Sequence, residues 1–286
     1  MYQSMSKKPL FSIIIPTLNE EKYIPLLLND LSKQTLKDFE VIVIDGQSTD
    51  KTVNKAKSYQ KLLPKIKLIS SKIRNVSIQR NLGAKGSSGH YLIFNDADNR
   101  LPKYFLEGIK YQLTANPTDI FTCWSDTDLP NTKDKTISQA CNLMLEASLL
   151  SKSPSAFGAM IGCKKAVFDS GNGFDPKVGF AEDKDFVVKY YKSGYVFKIY
   201  KDPKYVYSLR RFHSHGALKV IQKSSKLLLK YLTGKTIDQK KEYPMGGKAF
   251  EDTSKNLAQK LDDFLETPIK APKIFKKLAS LLNLDD

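Results

Sequence analysis

The chain has 286 residues, 41% of them hydrophobic, and carries 46 Lys and Arg against 30 Asp and Glu, a net charge of +16. That length buries one large core or a core plus a small appendage. No run of about eighteen apolar residues occurs, which excludes a transmembrane helix, and Met1–Pro9 lacks the apolar stretch of a secretory leader, so a cytoplasmic chain is expected. In chain order, Phe11–Ile15 is a short apolar run ending in Pro16, Thr17, Leu18, Asn19 and Glu20. Ile24, Leu27, Leu28 and Leu31 then recur at helical spacing, with Asn19 or Thr17 as the expected cap. Val41–Ile44 is a second strand, ending in Asp45 and Gly46, and Ser48 or Thr49 is expected to cap a helix toward Tyr59. Ile66–Ile69 reads as a strand, Ser77–Lys85 as a helix and Tyr91–Phe94 as a fully buried strand, since four consecutive apolar residues leave no solvated face.

Strand–helix alternation with short connections predicts a parallel, doubly wound α/β sheet. Right-handed crossovers bring the strand C-termini to one edge, where ligands bind in such sheets. Asn19, Glu20, Asp45, Asp96 and Asp98 are therefore expected at one crevice. The quartet Asn95-Asp96-Ala97-Asp98 is the most informative of these segments. Two carboxylates one residue apart repel unless a cation neutralises them, and hard divalent ions prefer oxygen ligands. A polar turn closing the strand is the plainer alternative.

Four motifs in this order and spacing resemble the family 2 nucleotide-sugar glycosyltransferases, which have the GT-A fold. They are Ser12-Ile-Ile-Ile-Pro-Thr-Leu-Asn-Glu20, Val43-Ile-Asp-Gly-Gln-Ser-Thr-Asp50, Gln79-Arg-Asn-Leu-Gly-Ala84 and Phe94-Asn-Asp-Ala-Asp98. Gly171-Asn-Gly-Phe-Asp175 and Gly179-Phe-Ala-Glu-Asp-Lys-Asp185 extend the likeness, which runs from about Leu10 to Gly216. The resemblance implies a GT-A domain over 1–216, with a nucleotide-sugar half at about 10–100 and an acceptor half at about 101–216. A basic helical appendage over 217–286 matches no pattern.

The same resemblance implies roles for individual residues. Asp98 is the expected direct ligand of Mg²⁺ or Mn²⁺, and Asp96 its partner near ribose, sugar or metal-bound water. His213 or His215 lies where such enzymes often supply a further ligand. Asp183, beside Glu182 at the opening of a helix through Tyr191, is the expected general base, although acids in a first helical turn also serve the helix dipole. Pro16 and Thr17 are expected beside the nucleobase, Asp45 as acceptor of its N–H, and Asn19 and Glu20 in the same donor pocket. Arg80 is a candidate cation near the nucleotide, or a surface arginine, and Arg210 with Arg211 a candidate diphosphate clamp. Asp45-Gly46 stands where many relatives have two acids, and the Gln-x-x-Arg-Trp signature of polysaccharide synthases is missing, which with no transmembrane channel predicts single-sugar transfer; the resemblance implies a single displacement with inversion.

The acceptor half has no such signature. Trp124-Ser-Asp-Thr-Asp128 reads as a loop closing a strand, with sugar stacking as the alternative. Cys123, Cys141 and Cys163 have no metal-ligand spacing and are expected reduced and structural. Residues 184–248 hold 16 basic and 4 acidic residues, a composition that suits an anionic neighbour. Nucleic acid is disfavoured, because no recognition motif accompanies the charge. Lys219, Lys223, Lys226 and Lys230 share one helical face, opposite Leu218, Ile221 and Leu228, and Ile274, Phe275, Leu278, Leu281 and Leu282 interleave with lysines. Such faces either pack on the domain or lie peripherally on an anionic membrane. The expected partners are a nucleoside-diphosphate sugar, UDP-linked by preference, and a saccharide or lipid-linked acceptor. Two alternatives stand beside this reading: a nucleotidyltransferase on a related sheet, and a catalytically silent membrane adaptor.

Overall fold

A computed structural model describes residues 8–127, 132–150 and 153–208, together with Arg210 and Leu227. Asp128, Arg211, His213, His215, Lys219, Lys223, Lys226, Lys230 and the 217–286 region other than Leu227 lie outside those described residues.

The strands are β1 (Phe11–Thr17), β2 (Phe39–Asp45), β3 (Ile66–Ser70), β4 (Tyr91–Asn95), β5 (Ile120–Thr127), β6 (Met160–Lys164) and β7 (Phe197–Tyr207). The helices are α1 (Ile24–Ser32), α2 (Thr52–Lys57), α3 (Val76–Lys85), α4 (Phe105–Ala115), α5 (Thr132–Leu149), α6 (Lys165–Ser170) and α7 (Glu182–Lys192). All seven strands form one sheet in the order β3-β2-β1-β4-β6-β5-β7. β1 runs parallel to β2 and β4, β2 to β3, and β5 to β7, whereas β6 is antiparallel to both of its neighbours. The sheet is thus mostly parallel but mixed, with the reversal confined to the second half of the chain.

Side chains alternate between two cores, as the period of a strand requires. Ile13, Ile15, Val41, Val43 and Ile93 pack on one face with α1 and α4. Ile14, Ile42, Ile44, Leu92 and Phe94 pack on the other with α3, α6 and α7. Burial on both faces explains the unbroken apolar runs. Gly83 belongs to the fold rather than to the site: a Cβ there would collide with Ile14 and Ile44, so α3 lies directly on β1 and β2.

The expected helix caps are not used. Tyr23 precedes α1 and Lys51 precedes α2, neither giving a side-chain cap. Asn19 and Ser48 instead bond to each other's loops, because the ends of β1 and β2 lie side by side in register, Thr17 opposite Asp45. Trp124 lies within β5, not in a loop, since pairing with β7 continues to Thr127 past a bulge between Cys123 and Ser125. Among the described residues the three cysteines are free thiols, Cys123 and Cys163 buried, and no helix is long and apolar enough to cross a membrane.

Candidate active site

The ends of β1 and β4 and the segment beyond β7 open onto a crevice enclosing about 790 Å³ of space continuous with solvent. Pro16, Thr17 and Glu20 line it from β1, Asp96 and Asp98 from β4, and Tyr207, Ser208 and Arg210 from β7. The third group arrives because Arg100 and Val206 exchange backbone hydrogen bonds of 3.0 and 2.9 Å, folding the end of β7 over the loop that follows β4.

At the β1–β2 edge the sequence-predicted residues divide. Thr17 lines the crevice. Its hydroxyl donates to the Ile44 carbonyl at 3.3 Å and to Asp45 Oδ1 at 3.4 Å. Asp45 Oδ2 accepts the Ser48 N–H at 3.0 Å, so this carboxylate stands beside the crevice already partly bonded. Asn19 adopts a left-handed backbone, φ 56°, and its side chain accepts the Thr49 N–H at 2.8 Å, which braces the loop rather than facing the crevice. Gln79, from the Gln79–Ala84 motif, donates to the Thr17 and Ile44 carbonyls at 3.0 and 2.9 Å, pinning α3 to both strand ends.

At the end of β4, Asn95 is buried and its amide donates to the Asp96 carbonyl at 2.9 Å, while Asn99 donates to Asn95 Oδ1 at 3.2 Å and to the Ala159 carbonyl at 2.6 Å. These asparagines hold the turn and leave the two aspartates to the crevice. Arg210 closes the opposite wall. Its Nη1 and Nη2 fork onto Glu20 at 2.7 and 2.8 Å, its Nε meets Asp98 Oδ2 at 2.8 Å, and its guanidinium stacks 4.5 Å over Tyr23. Burial pushes Glu20 up to about 7, opposed by Arg210, with Asp98 and Asp96 adding to the rise. The bidentate geometry nevertheless is that of an ionised carboxylate, and the acids around Arg210 hold its guanidinium firmly protonated against burial.

Arg80 does not line the crevice. Only 2% of its side chain is exposed; its two terminal nitrogens meet protein partners, whereas its buried Nε meets none among the described residues. Nη1 meets Glu182 Oε1 at 2.9 Å; Nη2 meets Asp96 Oδ1 at 3.3 Å and the Gly158 carbonyl at 2.9 Å. The ring of Phe174 lies 5.2 Å from its centre. Burial opposes the charge, but Asp96, Glu182 and Asp183 together raise its affinity for the proton. The fold thus places Arg80 beside Asp96, bonded to Glu182 and the Gly158 carbonyl, and not among the residues that line the crevice.

Asp183 enters through α7. Ala181 is left-handed, φ 59°, an uncommon backbone for a residue with a Cβ, and it turns the chain abruptly into the helix. Asp183 Oδ2 then accepts the Gly158 N–H at 2.6 Å and Oδ1 the Lys184 N–H at 2.7 Å. Burial first, and Glu182 second, push Asp183 up to about 7 against these two donors and Arg80. Burial likewise lifts Asp96 to about 6 against Arg80, with Asp98 and Glu182 adding to the rise, even though 37% of its side chain opens to the crevice.

A divalent cation fits this donor set only in one way. Among the described residues no three His, Cys, Asp or Glu side chains converge as a closed metal cage. Of the crevice-lining carboxylates Glu20, Asp96 and Asp98, the first is forked by Arg210, so the two aspartates are the candidate ligands. That count suits Mg²⁺ or Mn²⁺, which share their shell with phosphate and water oxygens, and not a zinc cage. Arg74, which no sequence motif marks, also lines the crevice. It stands next to Asn75, whose side chain caps α3 by accepting the Ile78 N–H at 2.9 Å. A cation immediately before a capped helix at the carboxyl edge is the sequence signal that points to it. Gly158 carries no such signal.

Comparison with known proteins agrees with this geometry. The family model described as glycosyl transferase family 2 matches residues 12–171, more than half of the chain. The poly(ribitol-phosphate) β-N-acetylglucosaminyltransferase TarS of Staphylococcus aureus is 27% identical over 212 residues, covering 72% of this chain and 36% of that protein. The chain thus spans about a third of the length of that curated relative. Among solved structures, S. aureus TarS 1-349 in complex with UDP-GlcNAc superposes with a TM-score of 0.57 at 22% identity, over 81% of this chain and 69% of that one. The mannosyltransferase PcManGT of Pyrobaculum calidifontis, in complex with GDP-Man and Mn²⁺, gives 0.60 at 21% identity, over 78% and 65%. The fold is GT-A, and the chain belongs to glycosyl transferase family 2.

Proposed function

We propose that this family 2 glycosyltransferase moves one sugar from a UDP-linked donor to a saccharide or lipid-linked acceptor, by single displacement with inversion, with Asp183 as the base. The observation that carries the reading is the meeting of two crevice-lining aspartates with the Arg210 guanidinium, 2.8 Å from Asp98, while Asp183 on α7, outside the crevice lining, is linked to Asp96 through Arg80 and raised to about 7. The first two suit a diphosphate; the last suits proton removal. TarS in complex with UDP-GlcNAc is the relative that supports a UDP-sugar donor.

In this reading Thr17 and Asp45 receive the nucleobase, with Asp45 accepting a base N–H through the carboxylate capacity that Ser48 and Thr17 leave. Arg210 turns from Asp98 and Glu20 toward the diphosphate, since a guanidinium forks onto phosphate as it does onto carboxylate. Asp98 and Asp96 would hold Mg²⁺ or Mn²⁺, which neutralises charge developing on the leaving diphosphate. Asp183 takes the acceptor hydroxyl proton as oxygen attacks the anomeric carbon from the face opposite the departing group. The excess of basic residues over 184–248 suits the anionic part of an acceptor or of a membrane surface.

Calorimetry with UDP-GlcNAc and with GDP-mannose, each with and without Mn²⁺, tests the donor half of the reading. Metal-dependent binding of the uridine compound is expected in the wild type, and its loss in Asp98→Asn; equally tight, metal-dependent binding in that variant overturns the metal assignment. The anomeric configuration of the product, read by NMR, tests the displacement. Retention of configuration overturns it.

A further inference from the structure

We propose that Arg80 is a positioning residue for the base: through the Gly158 peptide and Glu182 it holds the Asp183 carboxylate in the orientation that accepts the acceptor proton. The proposal rests on the reading of Asp183 as base.

The two oxygens of Asp183 are held differently. Its Oδ1 is bonded to the N–H of the next residue, Lys184, a contact internal to the turn that does not set where the carboxylate points relative to the sheet. Among the described residues, only Oδ2 is tied outside that turn, by the 2.6 Å bond from the Gly158 N–H. The orientation of Asp183 therefore depends on where the Gly158 segment lies. That segment belongs to the loop running into β6, and Arg80 Nη2 bonds the Gly158 carbonyl at 2.9 Å. Arg80 and Asp183 thus grip one glycine from its two polar groups.

The same guanidinium reaches the helix of the base directly. Nη1 pairs with Glu182 Oε1 at 2.9 Å, and this side chain is 12% exposed. Glu182 is adjacent to Asp183 and carries the negative charge that most strongly reinforces burial in raising it. Neutralising Glu182 with Arg80 keeps two neighbouring acids compatible in one turn; without it their repulsion would drive one of them away. Glu182 is accordingly a positioning residue as well.

Two observations show that the arrangement is built. Arg80 is rooted on α3, whose Gly83 lies against β1 and β2 and whose Asn81 makes a two-way clasp with Phe174: Asn81 Nδ2 donates to its carbonyl at 2.8 Å and Oδ1 accepts its N–H at 2.9 Å. Phe174 in turn stacks on Phe186 of α7 at 4.3 Å. The helix bearing Arg80 and the helix bearing Asp183 are therefore fixed to one another. Gly158 is also a close fit: a Cβ there would stand 3.0 Å from Arg80 Nη2 and 3.2 Å from Asp183 Oδ2, so one of those side chains would have to give by a few tenths of an ångström. A side chain at this position would loosen one of the two grips.

Three variants separate this role from its alternatives: Arg80→Lys, Gly158→Ala and Asp183→Asn. UDP-GlcNAc is the donor, with UDP binding followed by calorimetry and UDP release followed kinetically. A lysine keeps the charge but cannot fork onto Glu182 and Gly158 together. Arg80→Lys is expected to bind UDP within about threefold of wild type, with donor KM little changed, while kcat falls about 10- to 100-fold, because misplacement of a reacting group acts on the chemical step. Gly158→Ala, which removes no hydrogen-bonding group, is expected to show the same split and serves as the deciding variant if Arg80→Lys fails to fold. A drop in UDP affinity with kcat retained makes Arg80 a donor contact and overturns the proposal. So does a lowered Tm with both constants unchanged, which makes it structural. If Asp183→Asn loses turnover while the other two variants keep it, the positioning role alone fails. If Asp183→Asn keeps turnover, the reading of Asp183 as base fails first, and the positioning role with it.

Discussion

Glu40 and Asp183 are both withdrawn from bulk water, at opposite edges of the same sheet, and burial pushes both carboxylates upward. At the amino edge the push is overwhelmed. Glu40 Oε1 accepts the Ser88 N–H at 2.5 Å, the Ser88 hydroxyl at 2.7 Å and the Ser12 hydroxyl at 2.8 Å, and Lys65 and Lys67 stand 3.4 and 3.3 Å from Oε2. Those donors, with the charge of Lys67, bring Glu40 down to about 2. At the carboxyl edge Asp183 has two backbone donors and an acidic neighbour, and it ends at about 7. Burial by itself therefore does not separate Glu40 from Asp183, the proposed base. The number and charge of the donors around each do.

Neutralising Asp183, the proposed base, is expected to have the greatest consequence. Asp183→Asn should bind UDP normally and lose roughly 10²–10⁴-fold in turnover, the usual worth of a general base. A loss below about tenfold in single-turnover kinetics moves proton abstraction elsewhere.

Neutralising the structural acid should act on the other axis. Glu40→Gln is expected to destabilise the fold by about 2 kcal/mol, the scale of losing charge-assisted bonds at a buried acceptor, with kcat and KM unchanged. Its folded pKa is depressed, so the stability that Glu40 contributes is present above its unfolded value and is lost as pH falls from about 4.5 toward about 2. Urea melts of wild type and variant should therefore converge at the acid end of that window. Melts that remain parallel there would mean that Glu40 contributes through shape alone.

In the wild type, pH separates the two acids without any substitution. Asp183 must be ionised to accept a proton, so kcat/KM is expected to rise about tenfold per pH unit below about 7 and to flatten above it. A profile flat from about pH 5.5 to about pH 8 would contradict the assignment. The weakest of these effects concerns stability. A raised folded pKa means that ionised Asp183 costs stability, a cost that grows as pH rises from about 4 to about 7 and then stays constant. Asp183→Asn should consequently raise Tm by a few degrees at about pH 8, and by less at about pH 5, in thermal melts.

Much of the fold is legible in the sequence because its signals are local. Period-2 burial on both faces makes Ile13–Ile15 and Leu92–Phe94 unbroken apolar runs, and acids directly after such runs must emerge at the carboxyl edge, which places Asp96 and Asp98. The caps expected for α1 and α2 fail for a physical reason: Asn19 and Ser48 have nearer partners across the β1–β2 edge than in their own helices. Trp124 looks like loop because polar residues follow it, whereas pairing with β7, more than seventy residues later, keeps it in a strand.

The alternation of elements, the two-faced burial of the central strands and the edge at which the aspartates emerge are all dictated by residues within one or two turns of one another. Such features need nothing beyond the sequence. That β6 runs antiparallel, that Arg210 crosses to Glu20, 190 residues away, and that Arg80 joins Asp96 to Glu182, 102 residues on, come from the folded chain alone. A guanidinium carries the same charge and reach wherever it stands in a chain. Which carboxylates it meets is set by the packing of the helices and strands that bear them, and that packing is a property of the whole sheet.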